Sequence, residues 1–246
     1  DKLTWEKTRT WNLGIDFDFF SRLSGSVDFY DKYTTNLLAD TPSDPTTGFT
    51  SVLSNVGEMS NRGVELSLTS LNIVSSGFLW TTNFNFTYNR NKLVSMYVNP
   101  PETPYSMVDY EYWEGYPYGT IFGYRWAGLD HADGMPRVYD SGGNAVRSIS
   151  DIDSMSAVPY LGTTVPPFYG SLTNTFRFRD FELSFMFVYN MGHVLRNDIN
   201  TQYTYRLSGS LHNDFARRWK QPGDEAFTDV PAYYRLDDTS VNETDV

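Results

Sequence analysis

The side chains best suited to acid–base or metal chemistry in this sequence are three histidines and one acidic loop. His131, His193 and His212 are far apart and lack the spacing of metal ligands. The loop 130–134 contains two aspartates but lacks the alternating oxygen ligands and terminal glutamate of a calcium-binding loop. Cysteine is absent, which excludes disulfides, thiol catalysis and Cys-based metal sites. We therefore predict no catalytic residue, no metal site and no cofactor, and we expect that the protein is not an enzyme.

A second group of candidate residues is aromatic and lies between residues 105 and 126. Three interpretations stay open: an aromatic girdle at a membrane interface, anchors for a partner protein, and flat faces for sugar rings or peptide side chains. The acidic residues Asp109, Glu111 and Glu114 between the rings make the third interpretation chemically reasonable. We predict an interaction surface first and a substrate site second. The candidates for contact with a substrate or a partner protein are Tyr105, Tyr110, Tyr112, Trp113, Tyr116 and Tyr118.

The elements that must position these residues are β-strands, because apolar and polar residues alternate with a period of two. The alternation is clearest in residues 168–192, which read as two strands with almost no turn between them. Each strand has about 10 to 12 residues, roughly what a tilted strand needs to cross a bilayer and about twice the usual soluble length. One aromatic face and one polar face at that length favour the wall of a membrane β-barrel.

The same alternation predicts six antiparallel strands joined by connections of unequal length. The strands are predicted near residues 8–19, 22–33, 62–70, 77–90, 168–179 and 181–191. The long loops are predicted over residues 34–61, 91–166 and 192–246. Short turns alternating with long loops are typical of outer-membrane barrels, whose short turns face the periplasm. The alternative is a secreted or surface-exposed all-β glycan-binding module without transport activity, although a soluble sandwich does not usually show this asymmetry.

Several charged residues fall on the polar face of the predicted strands. Six strands cannot enclose a water-filled lumen, so these charges need either a wider channel or an internal plug, and further strands must come from elsewhere. We expect Arg177 and Arg179 to lie near the periplasmic turn, within reach of acidic groups on a plug. The candidates that face a lumen or a plug are Asp16, Asp18, Asp28, Glu65, Arg177 and Arg179.

The composition and the two ends of the sequence exclude further partners and types of segment. The formal net charge of −11 and the lack of a basic stripe argue against nucleic acid as a partner. The sequence has no run of about 18 apolar residues, so we predict no transmembrane helix. Residues 1–4 do not resemble a signal peptide, and the acidic end at 237–246 has no strand pattern. We expect the sequence to be an internal piece of a longer chain.

A series of short motifs runs in a fixed order along nearly the whole chain. It includes Leu-Thr-Trp-Glu at 3–6, Asn-Val-Gly at 55–57, Asn-Arg-Gly-Val-Glu at 61–65, Pro-Pro-Phe-Tyr-Gly at 166–170 and Pro-Gly-Asp-Glu at 222–225. In this order the motifs resemble the C-terminal half of SusC/RagA-type TonB-dependent transporters from the Bacteroidetes outer membrane. Each motif is weak alone, and their common register carries the resemblance.

The resemblance implies an all-β fold, an antiparallel transmembrane segment of a plugged barrel with 22 strands and long extracellular loops. It also implies active import of glycans or oligopeptides across the bacterial outer membrane, with lipid against the wall and a SusD-like lipoprotein as a lid. The plug, the TonB box and the closing strands are not in this sequence, so TonB would act through the missing N-terminal part. A passive porin, which has no plug, is a third interpretation.

Overall fold

A computed structural model of the protein describes residues 3–42, 46, 48–49, 51–97, 102–147, 151–152, 154–196 and 213–232. Among the features discussed above, His212 and the acidic end at 237–246 lie outside the described residues. The described chain forms two compact units. The wall unit comprises Asp1–Pro100, Glu111–Thr120 and Gly162–Val194. The loop unit comprises Pro101–Tyr110, Ile121–Leu161 and Leu195–Val246.

Strands are the main elements of the described residues. In chain order they are β1 Lys7–Phe19, β2 Leu23–Pro42, β3 Ser51–Val74, β4 Phe78–Met96, β5 Thr120–Phe122, β6 Trp126–Leu129, β7 Pro136–Tyr139, β8 Ala145–Val146, β9 Tyr160–Thr163, β10 Phe168–Phe178 and β11 Phe181–Met191. One short helix, α1, covers Pro104–Asp109, and 3₁₀ turns cover Met155–Ala157, Asn213–Arg217 and Asp224–Ala226. No helix within these described ranges has the length and apolarity needed to cross a membrane.

Six of the strands form one antiparallel sheet in the order β1-β2-β3-β4-β10-β11. Each strand pairs with the next one along this order, and the connections at 20–22, 75–77 and 179–180 all lie at one end of the sheet, here called the turn end. The predicted all-β, antiparallel fold is confirmed. Within the described residues the sheet does not close, since β1 and β11 are its edges.

The structure has a strand at each of the six predicted positions, but the predicted loop 34–61 is wrong for most of its length. β2 continues to Pro42 and β3 begins at Ser51. The prediction failed because the apolar residues here do not alternate with polar ones: Leu37 and Leu38 are adjacent, and register shifts interrupt the pairing between Thr34 and Leu38. Side chains pair across this part of the ladder, as Thr41 Oγ1 and Ser54 Oγ do at 2.9 Å. The loop predicted to begin at residue 91 likewise starts later, because β4 runs on to Met96.

The long sheet has one apolar and one polar face. Cross-strand pairing aligns Leu13, Phe29 and Val64 in one row, and Val64 then pairs with Tyr88. Rows nearer the turn end continue this apolar face. It is exposed on the edge strands β1 and β11, where Phe181 keeps 79% of its surface, and half-buried on the central strands β3 and β4. Rings on this face stack across the strands, with centroids 4.9 Å apart for Tyr88–Phe168 and 5.4 Å for Trp80–Phe176.

One polar cluster interrupts the apolar face, and its groups satisfy one another. Asn174 Oδ1 accepts hydrogen bonds from Thr82 Oγ1 at 2.7 Å and from Trp80 Nε1 at 2.9 Å. Asn72 Nδ2 donates to Thr82 Oγ1 at 2.7 Å, and Ser70 Oγ donates to Asn72 Oδ1 at 2.8 Å. Burying an unpaired polar group away from water costs free energy. The hydrogen bonds within the cluster avoid this cost, so the polar side chains can lie among apolar ones.

Gly63 leaves room for an aromatic side chain on the neighbouring strand. Tyr30 pairs directly with Gly63, and a Cβ at position 63 would meet the Tyr30 phenol and the Tyr88 carbonyl oxygen. In its present position Tyr30 Oη donates to Asn89 Oδ1 at 3.0 Å. The glycine therefore fixes both the close approach of the strands and the orientation of Tyr30.

We expect Gly63→Ala to lower the free energy of unfolding by about 1–3 kcal/mol, the usual effect of overpacking. Alanine gains about 0.5–1 kcal/mol over glycine in a strand interior, but the new methyl meets a backbone carbonyl that cannot move aside. Urea titration measures the change, with Gly77→Ala as control because nothing lies within 4 Å of a Cβ there. Equal stability of the two variants would contradict the close approach.

The loop unit has its own small sheet and its own buried core. β6, β7 and β8 form an antiparallel sheet in that order. Leu129, Trp219 and Ala232 pack as a buried cluster, which brings the segment 213–232 against the end of β6. Trp219 N donates to Val230 O at 3.0 Å, and Ala232 N donates to Gly134 O at 3.2 Å. The hydrogen bond from Ala232 to Gly134 joins residues nearly a hundred positions apart in the sequence.

Candidate functional site: the wall faces and the loop surfaces

The polar face of the wall carries an acidic patch. Asp28 and Glu65 pair directly across β2 and β3, and Asp16 lies one row nearer the turn end, opposite Ser26. A Cβ at Gly14 would meet Asp28 Oδ1, so the carboxylate leans over β1. Like charges directly opposite one another destabilise a sheet unless water or a cationic group screens them. The polar face therefore needs an aqueous or cation-bearing surround, as the sequence analysis predicts for a lumen.

Three of the charged candidates, Asp18, Arg177 and Arg179, lie near the turn end and have partners within the wall unit. Asp18 Oδ1 accepts a hydrogen bond from Ser21 N at 3.1 Å and so caps the first turn. Arg177 donates from Nε and Nη2 to Glu182 Oε2 at 3.0 and 2.6 Å. Arg179 has a left-handed backbone with φ of 52° and lies over the Phe178 ring at 5.4 Å. Both arginines lie at the turn end, while their contact with a plug stays a prediction.

Sequence reasoning missed Glu182 as the partner of Arg177. The signal was available, because 177 and 182 are symmetric about the two-residue turn at 179–180 and pair directly in the hairpin. Two further sets of contacts could be predicted only if the strand register of the sheet were known. Glu58 accepts hydrogen bonds from the hydroxyls of Tyr33 and Tyr97, and Arg62 Nε contacts Asp31 Oδ2 at 2.9 Å.

Four of the six aromatic candidates lie in the wall unit, at the end of β4 opposite the turn end. The segment 111–120 is hydrogen-bonded there: Gly115 N donates to Leu93 O and Leu93 N to Tyr116 O, both at 2.8 Å. Tyr118 N donates to Asn91 Oδ1 at 2.7 Å. Tyr112 and Tyr118 face each other with ring centroids 5.4 Å apart. The four candidates in this group are Tyr112, Trp113, Tyr116 and Tyr118.

The other two aromatic candidates, Tyr105 and Tyr110, belong to the loop unit. Tyr105 lies in α1 and is exposed, whereas Tyr110 follows the helix as its C-cap and is half-buried. Burial raises the pKa of the Tyr110 phenol above its ordinary value. The six candidates thus belong to two separate units, and their contact with a substrate or a partner protein stays a prediction.

The acidic loop at 130–134 is neutralised by arginine. Arg147 reaches Asp130 Oδ2 at 3.1 Å and Asp133 Oδ2 at 2.8 Å, and Arg137 lies 3.7 Å from Asp130. The backbone N–H of Ala132 and the Arg147 guanidinium lower the pKa of the Asp130 carboxyl. Among the described residues, no group of three His, Cys, Asp or Glu side chains is placed to hold a metal ion.

Glu225 connects the segment 213–232 to the acidic loop. Its Oε1 lies 2.6 Å from His131 Nδ1, and its Oε2 accepts hydrogen bonds from Trp219 Nε1 at 3.1 Å and Gly223 N at 2.8 Å. These donors, His131 first, lower the pKa of Glu225 to about 2. The ionised carboxylate is therefore the form that holds this contact together.

We expect the attachment of the segment 213–232 to weaken in acid. Because the folded-state pKa of Glu225 is lowered from 4.5 to about 2, its stabilising contribution is complete above pH 4.5 and is lost as pH falls toward 2. Hydrogen exchange of the Trp219 and Val230 amides across this pH range, corrected for intrinsic rates, measures the effect. Glu225→Gln should remove most of the pH dependence, and an unchanged pH profile in that variant would contradict it.

The long antiparallel sheet with one apolar face and short turns at one end is the architecture of a β-barrel wall, and comparison with known proteins gives the family. The family model "TonB dependent receptor-like, beta-barrel" matches residues 1–242. The chain belongs to this family. Within it the chain is of the SusC/RagA type, as its relatives indicate.

TonB-dependent receptor P39 of Formosa agariphila is 28% identical over 273 residues, covering 90% of this chain and 26% of the relative. TonB-dependent receptor SusC of Bacteroides thetaiotaomicron is 36% identical over 98 residues, covering 39% of this chain and 10% of the relative. The structure of the RagAB peptide transporter matches with a TM-score of 0.73 and 26% identity, covering 94% of this chain and 26% of that one. The chain thus spans about a quarter of the length of the relatives that it matches over most of its own length.

Proposed function

We propose that the chain forms part of the wall and the extracellular loops of a TonB-dependent importer in the bacterial outer membrane. The observation that carries the proposal is the exposed apolar face of the long sheet, opposite a polar and charged face. In a barrel the first face meets lipid and the second meets an aqueous lumen or a plug. Asp16, Asp28 and Glu65 would then face the lumen, and Arg177 would face it near the periplasmic turns.

The height of the apolar face fits a bilayer. From Phe78 to Tyr88 strand β4 advances ten residues, about 33 Å at ~3.3 Å per residue. At a tilt of about 40° this spans roughly 25 Å, the height of the apolar band of outer-membrane barrels. The same interval on the neighbouring strand runs from Phe168 to Phe178. Beyond this interval β2, β3 and β4 continue as strands in which apolar and polar residues do not alternate, as expected for extracellular extensions.

The glycan-binding module is the weaker alternative because of this exposed face. A soluble β-sandwich buries one face of each sheet against a second sheet. In the described residues no second sheet covers the aromatic face, and Phe185, Phe187 and Leu183 on β11 are all exposed. An exposed apolar surface of this extent is unfavourable in water and favourable in lipid.

Substrate and partners are proposed from the relatives and from the loop residues. RagAB is described as a peptide transporter, and SusC is a relative over 39% of this chain. We propose import of oligopeptides or glycans, with a SusD-like lipoprotein as lid and TonB acting through a part of the protein outside this sequence. The exposed rings Tyr112, Tyr116 and Tyr118 are the proposed contacts for the lid or the substrate. We propose that the chain takes part in transport and not in catalysis.

The first experiment isolates the protein from outer membranes in detergent and measures its intact mass. We expect a mass several times 28.2 kDa, since a closed, plugged barrel needs more strands than this chain supplies. Uptake of labelled oligopeptides and of labelled oligosaccharides is then compared in cells with and without TonB. A mass near 28.2 kDa in a detergent-free soluble fraction would contradict the barrel. Uptake that is equal without TonB would favour the passive porin.

A further inference from the structure

A groove of about 680 Å³ lies on the apolar face of the sheet, where the apolar belt ends and the polar extensions begin. Its lower wall is the row Leu13, Phe29, Val64 and Tyr88, and its upper wall is the next row on the same face. The backbone of Asn12, Tyr30 and Gly63 lies between the two rows. Charged and apolar side chains both line the groove, among them Trp11, Leu13, Phe29, Asp31, Arg62 and Arg90.

The upper row of the groove carries an excess of positive charge. Arg62 pairs directly with Arg90 across β3 and β4, and Asp31 pairs with Arg62 across β2 and β3. The carboxylate of Asp31 contacts Nε of Arg62 at 2.9 Å, and the Arg62 side chain remains 68% exposed. No carboxylate among the described residues pairs with Arg90. Two arginines directly opposite one another on the same face of a sheet repel unless an anion lies between them.

The row beyond the groove adds further cations on the same face. Arg9 pairs with Tyr33, and Lys92 pairs with Ser60, which itself pairs with Tyr33. The guanidinium of Arg9 lies 5.9 Å from the centre of the Tyr33 ring. With Arg62 and Arg90, this band has four cations against two carboxylates: Asp31 in the upper row, and Glu58, which accepts a hydrogen bond from the Tyr33 hydroxyl. On the polar face the excess charge is acidic.

The lower row of the groove is suited to hydrocarbon. Leu13 and Phe29 keep 66% and 47% of their surface exposed, and Trp11 at the boundary keeps 69%. Successive rows on one face are about 7 Å apart along a strand. A single amphiphile can therefore contact the guanidinium groups with its headgroup and the apolar row with its acyl chains. Guanidinium groups bind phosphate through two parallel hydrogen bonds, which favours a phosphate headgroup.

We propose that this groove binds the phosphate headgroup of a membrane lipid in the outer leaflet, held by Arg62 and Arg90 above an apolar seat of Leu13, Phe29 and Val64. The inference rests on the proposed position of the wall in the outer membrane and goes beyond transport. Asp31 orients Arg62, and the Trp11 ring marks the boundary between headgroup and acyl region. The lipid would screen the Arg62–Arg90 repulsion and so stabilise the β2–β3–β4 part of the wall.

The test is native mass spectrometry of the intact detergent-solubilised protein titrated with phosphatidic acid, phosphatidylcholine of the same acyl chains, or inorganic phosphate. We expect phosphatidic acid to bind at least about tenfold more tightly than phosphatidylcholine, since charge-assisted contacts to phosphate are strong. The double variant Arg62→Gln/Arg90→Gln should lose this preference. Lys32→Gln is the matched control, because Lys32 is in the same strand as Asp31 but on the opposite face.

Each outcome decides a separate point. Equal binding of the two lipids, or retention of the preference in the double variant, would overturn the lipid site while leaving the importer intact. Competition by inorganic phosphate at the same concentration as phosphatidic acid would indicate an anion site without a lipid seat, which also overturns the proposal. A protein that stays folded and soluble without detergent would instead overturn the proposed function, and the lipid site with it.

Discussion

Phe187→Arg is expected to destabilise the membrane-inserted protein by about 2–4 kcal/mol, the effect of a cation near the middle of the lipid face of a barrel. Phe187 lies on the apolar face of β11, opposite Leu172, and keeps 62% of its surface exposed. In water an exposed Phe to Arg change is close to neutral, because surface substitutions usually alter stability by less than about 0.5 kcal/mol. The large effect therefore depends on lipid contact.

Met186 supplies a matched control one residue away. It is also 62% exposed, but it lies on the polar face, opposite Thr173. Met186→Arg should change the free energy of unfolding by less than about 0.5 kcal/mol if that face meets water. Urea titration of both variants in lipid vesicles measures the difference. Similar values for the two variants would contradict a two-sided wall, and a larger loss for Met186→Arg would mean that the faces are assigned the wrong way round.

The part of each strand that carries the apolar face could be predicted from the sequence, because a strand with one apolar and one polar face has a period of two. Phe181 to Met191 shows this pattern, and the structure has a strand over that range. The remaining parts of β2 and β3 could not be predicted in the same way. Residues 34–42 and 51–61 are held by backbone pairing and by polar pairs such as Thr41–Ser54. Such pairing does not require apolar and polar residues to alternate in the sequence.

For the candidate site as well, the sequence could predict which face a residue lies on but not which residue it contacts. The period of two sufficed to put Asp16, Asp28 and Glu65 on one face, and the structure does bring them to neighbouring rows. Which residue opposes which depends on strand register, so the contact of Asp31 with Arg62 was not predictable. A register is set by turn geometry and by bulges such as those between Thr34 and Leu38.

The aromatic candidates show that closeness in the sequence does not predict closeness in the structure. Tyr110 and Tyr112 are two residues apart, yet they belong to different units. The path of the chain between them depends on long-range contacts: residues 111–120 hydrogen-bond to the end of β4. Likewise the contact of Trp219 with Gly134 joins positions that no local pattern connects. Loops of this kind take their structure from tertiary packing, which composition alone does not encode.

The core of the loop unit depends most on Trp219, which is only 8% exposed and packs with Leu129 and Ala232. Gly134 has a left-handed backbone with φ of 71°, and a Cβ there would meet the Trp219 ring, so the indole fits against the backbone of the acidic loop. Its Nε1 also donates to Glu225 Oε2 at 3.1 Å. The Trp219 side chain thus packs in the core, lies against the backbone of Gly134 and donates a hydrogen bond to Glu225.

Trp219→Ala is therefore expected to destabilise the loop unit by about 3–5 kcal/mol, the range for removing a buried aromatic side chain. The wall unit should keep its stability, because its sheet is held by its own ladder. Hydrogen exchange of the backbone amides of Trp219, Val230 and Ala232 should rise at least about a hundredfold, since about 1.4 kcal/mol corresponds to a factor of ten. Trp126→Ala is the control, because Trp126 is 49% exposed in the same unit. Unchanged protection of these amides in Trp219→Ala would contradict the packing of the segment 213–232 against β6, whereas loss of protection in the wall strands as well would mean that the two units unfold together.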